Sequence, residues 1–442
     1  MALKQASRGY GLSIASGQID GSSVSSKQHT MSFGLAWAIW AIAVCSLFFV
    51  QSEQTIAVSV FVVASTLYVL YQPGLALRAA LSSRAPWLFV ILASSSVLWS
   101  QHPDVSVRAA AEIAFTVGAS LVMAHALPPR SCMLAWMFAL LLADGVSLVD
   151  QRMVLNAGAL AMVGIFGSKN QFGLSQAILI LLCAWIGFDR EQSPISRVAA
   201  LIGFAGGSYL IVLGRSVDST IVAIGALVCS VVAYRLIWFP PRSRMMILIL
   251  IVVLFSLILS LLYLFADQIN FFARILELSG KDATLTGRTD LWSRAAKLIE
   301  GNPILGTGLQ AFWVEGNPYA EEIWARYDQA RTGFHFHNLW YETAVQLGYV
   351  GVAVAFVTVS AATIEVGRWV LRSPKPESSF FFAFVVFTDV RTYLEVDLFG
   401  QFFFSWVLFL VAWSYARQAR LKARGELRRS GPTFPRPGST GG

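Results

Sequence analysis

The chain is a succession of long apolar stretches broken by short polar ones. Apolar runs fall near 33–50, 56–71, 86–99, 109–127, 131–149, 171–188, 197–213, 218–239 and 245–266, and again at 338–366, 379–392 and 399–416. Continuous runs of this length lack the apolar/polar alternation of a transmembrane barrel strand. Lipid cannot satisfy backbone N–H and C=O groups, so each run predicts a helix. The expected fold is all-α: a polytopic membrane protein of about twelve spans, several shorter than the roughly 20 residues that cross a bilayer core. The run at 158–166 is too short to cross alone.

The largest hydrophilic excursion inside the chain, Asp267–His337, separates two groups of runs and carries Arg274, Lys281, Arg288, Arg294, Arg326, Arg331, His335 and His337. Within it, Leu291, Trp292, Ala295, Leu298 and Ile299 share one side of a helix whose other side holds Arg294, Lys297 and Glu300. This predicts an amphipathic helix lying on the membrane surface, with Thr289 as N-cap and Gly301-Asn302-Pro303 as its stop. A second short helix is expected over 320–331, after a turn at Gly306-Thr307-Gly308. The chain therefore divides into a polar tail (1–32), one membrane domain (33–416, including the loop 267–337) and a basic, then Pro- and Gly-rich, disordered tail (417–442). The first tail has no apolar core, so it is not a signal peptide.

Composition sharpens this picture in two ways. Only 13% of residues are charged and 56% are apolar, with a mean hydropathy of +0.62, against roughly 25% charged in soluble proteins, which leaves no room for a separate soluble domain. With the N-terminus inside, most of the 33 Lys and Arg fall in cytoplasmic segments, and no short outer loop is rich in them; this orientation satisfies the positive-inside rule. Both termini are then cytoplasmic and the long loop faces outward. The net charge of +8 reflects this topology and does not point to nucleic acid. Cys45, Cys132, Cys183 and Cys229 have no paired spacing and read as apolar packing residues.

Chemistry is expected on the outer face. In a bacterial periplasm, which holds no ATP or soluble nucleotide sugar, group transfer needs an energised lipid-linked donor such as a polyprenyl-diphosphate glycan. Such a reaction needs cations for the leaving diphosphate and an acceptor for the incoming hydroxyl's proton. Arg288, beside Asp290 as a candidate clamp, suits the first role through bidentate phosphate contacts; a snorkelling interfacial arginine is the plainer alternative. His337, just ahead of the span opened by Asn338, suits the second, with Glu342 one helical turn further on to orient it; the alternative is an ordinary surface histidine. No third ligand of familiar spacing follows His335 and His337, so neither metal nor cofactor is expected. Lys169 and Asn170, in the stretch Phe166–Gly173 at the outer mouth of a helix, and Arg215 with Ser216, at a helix start, are further candidates to bind the diphosphate at the same level. Glu395 and Asp397 add acidic groups there.

Taken in order, these motifs resemble the O-antigen ligase and O-antigen polymerase (Wzy) superfamily, especially exopolysaccharide polymerases of the ExoQ type. The matching residues are Trp99-Ser100 with Pro103, Gly164–Gly173 with Lys169-Asn170, Gly287–Trp292, Pro303–Gly308 with Phe312-Trp313, and His337-Asn338 followed by Glu342, Gly348 and Gly351. Glu395 also resembles the family's acidic residue before the last span. The resemblance implies a metal-independent, inverting glycosyltransferase of GT-C-like helical fold in the bacterial inner membrane. It implies that Arg288 holds the undecaprenyl diphosphate and His337 helps to activate the acceptor hydroxyl. Arg215 departs from the family pattern, in which the basic residue follows the serine; here Val217 follows Ser216. The implied partners are an undecaprenyl-diphosphate-linked glycan, membrane lipid, a chain-length regulator and the export machinery. A polymerase is expected ahead of a ligase that moves finished glycan to lipid A core or another acceptor. A flippase or transporter is less consistent, because the charges gather at one face and no internal repeat is visible.

Overall fold

A computed structural model describes residues 32–156, 159–240, 243, 244, 246, 288–327 and 333–429. The residues 1–31, nearly all of the apolar run 245–266, the parts 267–287 and 328–332 of the loop 267–337, with Arg274, Lys281, Gly287 and Arg331, and the end of the basic tail lie outside the described residues. The helices are α1 (Phe33–Phe48), α2 (Gln54–Tyr71), α3 (Pro73–Ser82), α4 (Pro86–Ser95), α5 (Pro103–Ala126), α6 (Pro129–Asp150), α7 (Lys169–Phe188), α8 (Pro194–Leu213), α9 (Val217–Arg235), α10 (Arg288–Gly301), α11 (Pro318–Tyr327), α12 (Leu339–Arg372), α13 (Pro376–Arg391) and α14 (Phe404–Arg429). Seven of them open with proline in the first turn, where its missing N–H costs nothing.

Seven described helices, α2, α5–α9 and α12, are long and apolar enough to cross a bilayer, or eight if α3 and α4, bent by 88°, count as one broken span. The protein is a polytopic all-α membrane protein, but the expected twelve are not all spans of this kind. The run at 86–99 is one arm of the bent pair, and 399–403 is not helical. The short run near 158–166 contributes to an antiparallel hairpin, β1 (Met153–Asn156) and β2 (Ala159–Met162), in which Met153 faces Met162. Its four-residue strands carry no periodic signal long enough to be distinguished from a helix end.

α7 is the centre of the bundle. Phe172, Leu174, Ile178, Leu182 and Ile186 are buried on it, and it packs against α6, α8, α9 and α13. α14 closes the other side against α5 and α12, burying Trp406 through Ala412. α8 leaves Leu201, Ile202, Tyr209 and Val212 exposed, the apolar outer face that lipid covers.

Above the bundle, α10 and α11 build a second core. Leu291, Ala295 and Ile299 of α10 meet Phe312, Ala320, Ile323, Trp324, Phe336 and Ala344. The apolar stripe of α10 is therefore buried against protein and not laid on the membrane surface. Thr289 is inside the helix, which already includes Arg288, so it is not the N-cap.

This cap is locked to the bundle through a kink in α12. Gly348 has φ 64°, and the turn 303–308 inserts beside it: Thr307 N–H donates to Val345 O (3.0 Å), Gly308 N–H to Gln346 O (2.8 Å) and Tyr349 N–H to Pro303 O (2.8 Å). Backbone groups that the kink frees are thus satisfied by the turn. The same turn reaches the segment before α5, where Trp99 Nε1 donates to Leu305 O (2.8 Å) and Gln101 N–H to Thr307 O (3.0 Å). A Cβ on Gly348 would lie 2.2 Å from Ile304 C, and one on Gly306 2.5 Å from Gln346 C. Gly348→Ala is therefore expected to lose well over about 1 kcal/mol through combined strain and clash, read as a lower thermal unfolding temperature in detergent and faster proteolysis at 302–327.

Candidate functional site

Three segments distant in sequence converge on one carboxylate. Glu395, buried between α13 and α14, accepts at Oε1 from Arg288 Nη2 (2.5 Å) and from Asn170 Nδ2 (2.6 Å), while Oε2 faces His337 Nδ1 (3.1 Å). Arg288 opens α10, Asn170 lies in the first turn of α7, and His337 precedes α12. Glu395 is placed by its own chain, its N–H donating to Arg391 O (2.7 Å) at the end of α13. Burial works against its charge, but His337, Arg288 and His335 together hold its carboxyl well below the usual carboxylate range.

His337 has left-handed backbone, φ 50°, which costs about 1 kcal/mol or more and persists only where its surroundings impose it. The carbonyl before it accepts from Trp292 Nε1 (2.9 Å), and Phe336 N–H donates to Glu342 Oε2 (2.9 Å). On the other side, Asn338 caps α12 by accepting from Trp340 and Tyr341 N–H, and its Nδ2 donates to Tyr393 O (3.2 Å). With Nδ1 turned to Glu395, the imidazole keeps Nε2 for a partner outside this cluster. His335, whose ring packs on His337, is pushed down to about 3 by burial first and then by His337, with Glu395 opposing.

Two pairings read from the sequence are corrected. Asp290 does not clamp Arg288: its Oδ2 is taken by Arg294 Nε (3.2 Å), Arg326 Nε (3.0 Å) and Tyr327 OH (2.8 Å). Residues two apart point to different sides of a helix, so the arginine faces inward and the aspartate outward. Glu342 does not orient the imidazole directly; it accepts from Phe336 N–H, Trp313 Nε1 (2.9 Å) and Gln346 Nε2 (2.6 Å), bracing the loop. Glu395 holds the orienting position. Lys169 is half-buried beside Asn170, whereas Arg215, with φ 49°, is exposed ahead of α9 and makes no contact with Glu395.

The sequence reading missed Arg391. It is fully buried, paired through Nε and Nη2 with Asp397, and donates from Nη1 to Ser219 Oγ (2.7 Å), with Asp218 3.6 Å away. It therefore ties the 214–220 stretch to the Glu395 loop. In sequence it looks like a charge flanking an apolar run, and the only signal was its position four residues before Glu395. Removing it strands buried carboxylates, so Arg391→Leu is expected to destabilise by roughly 3–5 kcal/mol, measured by thermal unfolding of the purified protein.

His335, His337 and Glu395 bring three ligand-type atoms within 4.8 Å of one another, so the fold supplies the third group that spacing did not show. Both carboxylate oxygens are already engaged, and the Arg288 guanidinium on Oε1 already sets a positive charge beside the carboxylate. These residues favour an anion beside Arg288 over a metal among the histidines.

The cluster borders an 800 Å³ cleft whose lining includes Asn170, His335, Glu342, Arg391 and Glu395. A second cavity of 540 Å³ between α1, α2 and α6 is almost wholly apolar and holds none of these groups.

Comparison with known proteins turns on the segment that carries α8, α9, α10 and the start of α12. Residues 199–356 match the O-antigen ligase family. That match includes Arg215, Arg288, His337 and Glu342 and stops short of Arg391 and Glu395. The whole chain is also similar to the exopolysaccharide production protein ExoQ of Rhizobium meliloti (strain 1021), with 27% identity over 429 residues, covering 91% of this chain and 96% of that protein. The resemblance read from the motifs is thereby borne out across nearly the full length.

Proposed function

We propose that this protein is an inner-membrane glycosyltransferase that joins undecaprenyl-diphosphate-linked oligosaccharide units into a surface polysaccharide at the periplasmic face. The observation that carries the reading is Glu395 holding Arg288 on one oxygen and His337 on the other. The guanidinium of Arg288 offers five N–H donors in a planar fork that fits phosphate oxygens. Charge develops on the diphosphate as the anomeric C–O bond breaks, and stabilising it lowers the barrier. The acceptor hydroxyl oxygen attacks the opposite face of the anomeric carbon, inverting it, and its proton passes to His337 Nε2. Glu395 fixes the tautomer by accepting the Nδ1–H hydrogen bond and stabilises the imidazolium that forms, the role of the acid in Ser-His-Asp sites. Atoms and charge balance without a metal or cofactor. Asn170 keeps Glu395 in register, and Arg391 holds the loop that carries it.

Polymerisation is favoured over ligation by the full-length similarity to an exopolysaccharide production protein; the match to the O-antigen ligase family keeps ligation as the second reading. Glycans from a strain lacking the gene decide between them. Single repeat units accumulating on undecaprenyl diphosphate, with no long chains, are expected. Long chains retained on that lipid and missing from their final acceptor would make the protein a ligase.

A further inference from the structure

The cleft beside Glu395 has a composition that the donor chemistry does not use. Gln54, Gln310 and Gln401 line it, and their side-chain amides make no hydrogen bond with the described residues. Trp313 and Phe334 lie on the same lining, and their rings meet edge to face at 5.1 Å. Of the described non-glycine residues with left-handed backbone, Gln310 (φ 59°), Phe399 (63°) and Phe402 (52°) also line this cleft. Such strain concentrates where a ligand fixes the requirement. Gln310 is further pinned by its N–H, which donates to Gln346 Oε1 (2.9 Å), and Gln346 is bound to Glu342 (2.6 Å). Its backbone is therefore fixed to the loop that presents His337, while its amide is left to the cleft.

Charge limits what can bind. Carboxylates in the lining outnumber guanidiniums, and each guanidinium is paired: Arg391 with Asp397, and Arg108 with Glu112 at 2.9 Å. The described lining is therefore net negative, which disfavours an acidic sugar. Neutral amides that can both donate and accept, set beside aromatic rings, suit hydroxyl-bearing sugar rings with their C–H faces. We infer that this cleft is an oligosaccharide subsite selective for uncharged sugar residues, with Gln310 and Gln401 as specificity-determining amides. The inference rests on the proposed glycosyl transfer and specifies the sugars next to the reacting bond; the diphosphate stays with Arg288.

The test uses the full-length protein in lipid nanodiscs, with cellotetraose as neutral probe and tetragalacturonate as acidic probe, titrated by saturation-transfer NMR. Cellotetraose is expected to bind, and tetragalacturonate at least about tenfold more weakly. Gln310→Asn and Gln401→Asn shorten the amide by one methylene, and Asn tolerates left-handed backbone, so both variants keep the fold. Each is expected to weaken cellotetraose binding by about tenfold, the worth of one good hydrogen bond, with undecaprenyl diphosphate binding unchanged. Equal or tighter binding of tetragalacturonate, no cellotetraose binding by the wild type, or variants within about twofold of it would overturn the inference. If the wild type instead fails to bind undecaprenyl diphosphate while cellotetraose behaves as expected, the donor reading falls and the subsite stands.

Discussion

Arg288→Ala is expected to abolish long-chain polysaccharide while leaving the protein folded and inserted. The guanidinium is the cation nearest the reacting cluster, held by Glu395 at 2.5 Å, and loss of one well-placed donor to a developing anion costs about 10²- to 10³-fold in rate. Arg288→Lys restores charge without the planar fork and is expected to recover only a small part of the activity. The measurement is glycan transfer from purified undecaprenyl-diphosphate donor, with membrane insertion checked on the same preparation. Transfer at the wild-type rate by an inserted Ala variant removes Arg288 from the mechanism.

The second large effect concerns the His337–Glu395 pair. A positioned general base contributes about 10²- to 10⁴-fold, so His337→Ala is expected to lose that much turnover with donor binding retained. Glu395→Gln is nearly isosteric but removes the charge that faces Nδ1. It is expected to lower turnover by a comparable factor while changing donor KM by less than about threefold. A merely structural role for Glu395 would instead shift unfolding temperature and turnover together. Equal turnover in Glu395→Gln and wild type would assign the orientation of the imidazole elsewhere.

Much of the fold was legible because long apolar runs have one outcome in lipid, and α2, α5 through α9 and α12 stand where the pattern placed them. The cap was less legible. The stripe Leu291, Ala295, Ile299 identifies a helix with one apolar face, but periodicity does not distinguish lipid from protein as the surface that covers it; Phe312, Trp324 and Phe336 decided that. The site divided in the same way. Arg288 and His337 were visible as polar residues in a chain with few of them. Glu395 was visible as an acidic group at the same level, but not as their common partner, since it lies 107 residues from one and 58 from the other, and sequence adjacency nominated Asp290 and Glu342 instead. Several motifs that carried the family resemblance have structural work: Trp99, Pro303–Gly308 and Gly348 meet in the interlock between cap and bundle, with no part in the Glu395 cluster.

The position of Glu395 near the end of the chain has a consequence for biogenesis. A nascent chain enters the membrane from its N-terminus, so α1 through α12, together with Arg288 and His337, can be in place before residue 395 has left the ribosome. Until then the arginine lacks its described carboxylate partner and the imidazole its orienting one, and α14, which seals the bundle behind them, has not been made. A chain cut short before 395 would carry most of the described spans and the described cap, yet lack the carboxylate on which Arg288 and His337 converge.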